Sequence, residues 1–467
     1  MNISKKTILV STGAFIFVLA LWLGLSFYSV GRVASAINQM VSQPDPKSSI
    51  RFKNLQHQTG FLSAKGDVWV SLADKFSEDG LSDTQPVWLQ VQYDVSHLIL
   101  PTSLARFEWR LQPLPEDKAK FEEIFPKDFA LTGQGAVGLG GSYRSTLKLP
   151  AFEIAQSGVL LNVAATEGFF KLSDNQFQFD WATNKLNYRG AGQALQVDLL
   201  NISMDISNTQ KGLGTSSISM QKLSTSSATV EGLKIAAEST ISQEKLDVRL
   251  TQSLERATFM NQTLSNVQAE WIVAGLHEQS SEKLIQLMDL SQGFKNMTAE
   301  EDKSMREAVK VLLLKGGKVG LSKLTAQSGS GSLQGQLMLE LEPATGEKIL
   351  LDKSLKLNGE IKTTGQLLTA DQEEMFVKWG VAVKTADGLQ ATVNMTQGKL
   401  KFNGKENEAT DLRAELSKEQ GLLDAFLSGS AQINKDSLQL LPELAEVEEP
   451  IEPAPAPAPA PTVKEQD

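Results

Sequence analysis

Cysteine is absent from all 467 residues, and histidine (three) and tyrosine (four) are scarce. The first absence excludes a disulfide framework and any thiolate metal site, and an oxidising compartment poses such a chain no thiol problem. His57, His97 and His277 stand far apart with no carboxylate at ligand spacing, so a metal centre would need three distant pieces to converge. The plainer use of each is one local hydrogen bond at a strand end or turn. No serine sits in a G-x-S-x-G elbow. Basic charge is also short: 45 Lys and Arg against 55 Asp and Glu leave a net charge of -10, which repels a phosphate backbone and argues against nucleic acid as a partner. The expectation is a non-catalytic protein with no metal and no cofactor.

One formal motif is set aside. Gly133-x-Gly135-x-x-Gly138 matches a dinucleotide fingerprint, which needs a helix N-terminus aimed at pyrophosphate. Val137 to Leu149 is Gly-rich and then strand-like, so edge bends or hairpin turns are the expected use of these glycines. The acids Glu300, Glu301 and Asp302, and likewise Glu373 and Glu374, fall where they complement a helix N-terminus.

What is present begins with an uninterrupted apolar run from Thr7 to Val30 behind Lys5 and Lys6. At about 1.5 Å per residue its helix reaches ~36 Å, enough to cross a hydrocarbon core with some tilt. Ala34-Ser35-Ala36 has the small-x-small form accepted by signal peptidases, which leaves cleavage after Ala36 open. The run is longer than a secretory h-region and carries Phe15, Phe17, Trp22, Phe27 and Tyr28, so an uncleaved signal anchor is favoured. Basic residues precede it and only Arg32 follows closely, which keeps the N-terminus cytoplasmic and exports the remainder.

Beyond the anchor, apolar residues alternate with polar ones for most of the chain, between turn clusters of Gly, Asn, Ser and Asp. Val87 to Val95, Val159/Leu161/Val163, Phe177/Phe179/Trp181, Leu195/Val197/Leu199, Leu246/Val248/Leu250, Leu337/Leu339/Leu341 and Val393/Met395 all read as strands with one wet face. The phase slips at Leu199-Leu200, as at a bulge or tight turn. Three stretches read as helices. Thr298-x-x-Glu301 is a capping box before Met305, Ala308, Val309, Leu312 and Leu313, ending at Gly316; Ser280 or Ser281 opens a shorter helix; Thr369-x-x-Gln372 opens another, through Met375, Phe376 and Trp379.

The fold class is therefore mainly β with a few helices (α+β): an N-terminal transmembrane helix, long antiparallel sheet or sheets partly covered by short helices, and a disordered Pro-Ala tail. Boundaries fall at 1–31 (cytoplasmic stub and signal anchor), 32–50 (linker), 51–405 (exported β-rich domain, with halves 51–275 and 276–405 as one option), 406–445 (helical or irregular extension) and 446–467 (acidic, then Pro-Ala).

Local patterns also resemble a family. Thr59-Gly60-Phe61-Leu62-Ser63-Ala64, the strand ending at His97 with Pro101 beyond it, the segment Trp271 to Met288, and Gly398-Lys399-Leu400-Lys401-Phe402-Asn403-Gly404 are similar to motifs of the YdgA-like family of Gram-negative envelope proteins, across nearly the whole chain to about Lys405. The resemblance implies an inner-membrane, single-pass protein with its β-rich domain in the periplasm, and no activity. Two roles follow. One is structural or scaffolding, with the domain and tail binding another envelope protein and motility or surface phenotypes as indirect outcomes. The other is lipid handling, in which the sheet's apolar face shelters acyl chains and Phe177, Phe179, Trp181, Leu337, Leu339 and Leu341 are candidate lining residues; the plainer role for those six is ordinary core.

Overall fold

The computed structural model describes residues 50–59, 63–72, 88–96 and 105–430, apart from short gaps at 124, 128, 139–141, 157, 191, 210, 260–261, 288–297 and 407–410. The apolar run Thr7–Val30, the Ala34–Ala36 site, His97 and the tail from Glu446 lie outside the described residues. Among those described, no helix is long and apolar enough to cross a membrane.

Among the described residues the alternating pattern folds as one 21-stranded sheet in which every pairing is antiparallel. Six strands open it in order: β1 (Ile50–Thr59), β2 (Ser63–Leu72), β3 (Trp88–Ser96), β4 (Ala105–Pro113), β5 (Leu131–Val137) and β6 (Tyr143–Leu149). A hairpin of β7 (Phe152–Gln156) and β8 (Val159–Val163) intervenes, and β9 (Thr166–Ser173) then pairs with β6. The long β10 (Gln176–Gly190) takes β9 along its first half and β8 along its second. From there the sheet is a plain meander: β11 (Gln193–Asn208), β12 (Leu213–Thr225), β13 (Ala228–Ser242), β14 (Lys245–Phe259), β15 (Gln262–His277), β16 (Gly317–Ser328), β17 (Gly331–Leu341) and β18 (Leu355–Gly365). It finishes with β19 (Val383–Lys384), β20 (Leu389–Thr396) and β21 (Lys399–Phe402), β20 pairing with both β18 and β21.

The strands up to β10 bury their shared apolar face in a core of Val68, Val91, Phe107, Trp109, Tyr143, Leu147, Phe170, Phe177 and Phe179, among others. Aromatic rings laid across a neighbouring strand require positions there without side chains. Gly133 and Gly135 supply them: a Cβ at either would meet the rings of Trp109 (2.4 Å) or Phe107 (2.1 Å) lying across from the neighbouring strand. Two of the fingerprint-like glycines, Gly133 and Gly135, are thus a floor for aromatics inside β5, while Gly138 lies past its end beside Ser142, with no helix following. Gly66 does the same under Tyr93, whose hydroxyl lies 2.8 Å from His57 Nδ1. Burial, with Asp67 nearby, pushes the Tyr93 phenol up to about 12. Because the unfolded chain ionises near 10, stability is complete below that pH and is lost as pH rises from 10 to 12; Tyr93→Phe is expected to remove part of this alkaline loss in melts run across that range.

The predicted slip at Leu199 is part of a line crossing six strands. Leu199 (φ 50), Gly232 (φ 64) and Asn266 (φ 49) sit in the left-handed region at the same transverse position on β11, β13 and β15. The ladder skips a rung at each: Asp198↔Lys222 is followed by Leu200↔Met220, Lys222↔Glu231 by Met220↔Leu233, and Arg256↔Ser265 by Leu254↔Val267. Apolar residues change parity across the line in every strand from β10 to β15, for example Ile202, Met204 and Ile206 against Leu195 and Val197. The kink absorbs the slip and keeps them on one face. Leu199 is exposed and poorly suited to that backbone, so Leu199→Asn is expected to stabilise by about 1 kcal/mol in chemical denaturation, with Gly232→Val destabilising instead.

Helices sit in the connections. Helix α1 (Lys118–Glu122) leads into a cluster in which Phe121, Phe125, Phe129 and Phe152 lie 4.3 to 5.0 Å apart ring to ring along the series. Helix α2 runs from Glu278 to Leu287, which corrects the expected start: Ser280 and Ser281 lie inside its first turn. No serine cap is used because β15 feeds straight into the helix, the Glu278 amide donating to Glu244 O (3.0 Å) while Ser281 Oγ donates to His277 O (3.0 Å). Helix α3 (Ala299–Lys315) starts with the predicted Thr298/Glu301 capping box and ends at Gly316 (φ 73). A short α4 (Leu351–Ser354) follows, then α5 (Ala370–Lys378), which carries the Thr369/Gln372 box, and α6 (Arg413–Ser428), within the predicted extension. Helices α2 and α3 pair with each other and meet the sheet at β14 and β15, and α5 meets it at β19.

The last edge is short and charged. In the β20–β21 hairpin Gln397 and Gly398 (φ 52 and 69) make the turn. Asn403 then fastens it, accepting from the Thr392 amide at 2.9 Å and donating to Gly380 O and Val381 O at 2.9 and 3.1 Å. Lys399 and Lys401 pair with Glu406, and a single bridge from Lys399 to Asp411 occupies the outer side of β21. Asn403→Ala is expected to cost about 2 kcal/mol and to raise amide exchange in residues 380–392, because three hydrogen bonds disappear together.

Candidate functional site

In an antiparallel ladder, residues directly opposite share a face, so pairing register converts sequence positions into a map of one surface. Starting from Phe179, one rung runs through Met204, Ser216, Ala237, Leu250 and Trp271. It continues through Leu321, Leu337, Gly359, Val393 and Phe402. The rung beside it starts at Phe177 and passes Ile206, Gly214, Ser239, Val248 and Val273 to Val319, Leu339, Leu357, Met395 and Leu400. A third, from Trp181, includes Ile202, Ile218 and Ile235, and Gly335, Ile361 and Ala391 belong to it farther along.

The six predicted lining residues therefore lie on one face, in two triads separated by the six strands β11 to β16. Their surroundings differ. Phe177 and Phe179 are 3% and 4% exposed and belong to the core, and Trp181 packs against it while its indole N–H donates to Thr166 Oγ1 (3.3 Å). Leu337 is 45% exposed, and Leu339 and Leu341 are half-buried. Ile202, Met204 and Ile206 on β11 continue the core onto the open meander, so filled core and open face form one surface. On the open part Ile218, Trp271, Val319 and Ile361 stand out at 39 to 49% exposure. Reading the sequence alone missed these four, although each occupies an apolar position of an alternating run.

The opposite face of the same strands is mostly polar, with Ile272 and Met338 among its exceptions. Ser203 donates to Asp180 (2.7 Å), Arg249 lies 3.8 Å from Glu270 and Arg256 3.8 Å from Glu231, and Gln390 donates to Glu360 (2.8 Å). From β11 to β20 the three rungs cover a sheet area on the order of 700 Å², from strand spacings of ~4.8 Å and rung spacings of ~6.6 Å, mostly apolar but interrupted by Ser216, Ser239 and Gln252. Such a surface can hold aliphatic chains by contact alone, with no polar recognition.

The described residues contain no cluster of three metal-ligating side chains, and His57 and His277 are engaged locally with Tyr93 and with Ser280 Oγ (3.0 Å). The Gly398–Gly404 segment of the resemblance forms the β20–β21 hairpin and its locking asparagine, and the Trp271–Met288 segment is strand β15 running into helix α2. No curated protein matches the chain. Residues 4–370 match the model of a family described as bacterial protein of unknown function (DUF945).

Proposed function

The chain belongs to the DUF945 family of bacterial proteins of unknown function, and from that premise we propose that it handles lipid, sheltering acyl chains along the apolar face of its sheet. The supporting observation is the open part of that face, where Ile218, Trp271, Val319, Leu337 and Ile361 line adjoining rungs half in solvent. Each methylene buried there contributes about 0.8 kcal/mol, so a chain of ordinary length binds without any charged anchor. In this proposal residues 7–30 hold the protein in the inner membrane, the β-rich domain is periplasmic as in the YdgA-like proteins it resembles, and the face lies within reach of membrane lipid.

The test is to export the chain from residue 32 onward, purify it without detergent, and quantify extracted phospholipid. About one or more equivalents per chain is the expected result, and lipid-free protein with the face accessible to an apolar dye would overturn the reading. A scaffolding role draws on a different feature, the Pro-Ala run from Pro453 to Pro461, a semi-rigid strut suited to a partner's groove. Crosslinking from that run in intact cells separates the two, since a scaffold traps a protein there and lipid handling does not require it.

A further inference from the structure

The polar side of the first six strands carries a concavity. A trough of about 730 Å³ crosses β1 to β6 on the polar face, within the size range of ligand pockets. Six strands at ~4.8 Å spacing give it a length of roughly 24 Å. Its lining is unusual in charge: Lys65, Arg110 and Lys148 balance Asp67, Asp94 and Glu108. Several of these groups are already engaged, Lys65 with Asp94 at 2.8 Å, Lys148 with Glu167 at 3.1 Å, and Glu108 accepting from Gln134 at 3.3 Å. Between them lie the amides of Gln56, Gln58, Gln92 and Gln134 and the hydroxyls of Thr132 and Thr146. On the next rung, Lys53 sits over the rings of Trp88 (3.9 Å) and Trp69 (5.0 Å), holding two indoles beside the trough.

We propose that this trough binds a neutral oligosaccharide. Planar amides donate and accept at once and so match neighbouring sugar hydroxyls, and the Lys53-covered indoles bound the trough on one side. A balanced set of charges, with Lys65 paired to Asp94 inside the trough, gives a polyanion no net attraction. An extended peptide is disfavoured because the trough runs across the strands, whereas backbone pairing would align a peptide along them.

Isothermal titration of the full-length chain with chitotetraose and cellotetraose tests this. Saturable binding of at least one, little changed between 50 mM and 500 mM salt and weakened tenfold or more by Gln92→Ala combined with Gln134→Ala, is the expected result. Both glutamines are exposed, so circular dichroism and melting of the double variant should match the parent. No saturable heat with either sugar, unchanged binding in the double variant, or preferential binding of heparin or of an unstructured neutral peptide would overturn the proposal.

Discussion

Gly135→Ala is expected to cost 3 kcal/mol or more and to lower the melting temperature by about 4 °C. The added methyl would lie 2.1 Å from Phe107 Cζ and 2.3 Å from the Arg144 carbonyl oxygen. Neither neighbour has room to withdraw: Arg144 O belongs to the paired strand β6, and Phe107 is stacked on Tyr143 with 4.6 Å between centroids, Tyr143 in turn lying 5.2 Å from Phe170. All three rings are almost completely buried. A double-mutant cycle with Phe107→Ala isolates the clash, because the second substitution should be less costly in the alanine background than in the parent. Gly421→Ala is the control: it lies within α6 with open space around it and is expected to stabilise by roughly 0.5 to 1 kcal/mol. Equal losses at the two glycines in thermal melts would contradict this account of the core.

The second large effect concerns binding. Trp271→Ser, Leu337→Ser and Ile361→Ser together are expected to reduce co-purifying lipid at least tenfold while shifting the melting temperature by only a few degrees, since each side chain is about half exposed in the folded protein. The matched control places substitutions on the reverse face of the same strands, Ile272→Ser, Gln336→Ser and Glu360→Ser, and should leave lipid content unchanged. Lipid loss from both triple variants would mean that the sheet as a whole, and not one of its faces, governs the effect.

Much of this architecture is legible in the sequence, for identifiable reasons. Alternation marks strands because a pleated strand turns successive side chains to opposite faces, and capping boxes mark α3 and α5 because side-chain bonding at a helix start is local. What stays hidden is non-local. Phe179 and Leu337 share one rung although 158 positions apart, and only the accumulated register of the intervening hairpins shows it. The parity change along the Leu199–Gly232–Asn266 line reads in sequence as an isolated slip, whereas its alignment across strands appears only when they are paired. The role of Gly133 and Gly135 is equally non-local, because the rings that need the space come from β4. The start of α2 was misplaced because its first amide bonds to Glu244, a partner that no cap motif encodes.

A meander with this many antiparallel hairpins has no intrinsic stopping point, since each new strand presents a fresh row of amides and carbonyls to the next. The four-residue final strand, with its lysines tied to Glu406 and its outer side taken by Asp411, supplies a terminus. Remove that plug and the molecule's far border becomes a seed on which neighbouring copies lengthen into filaments.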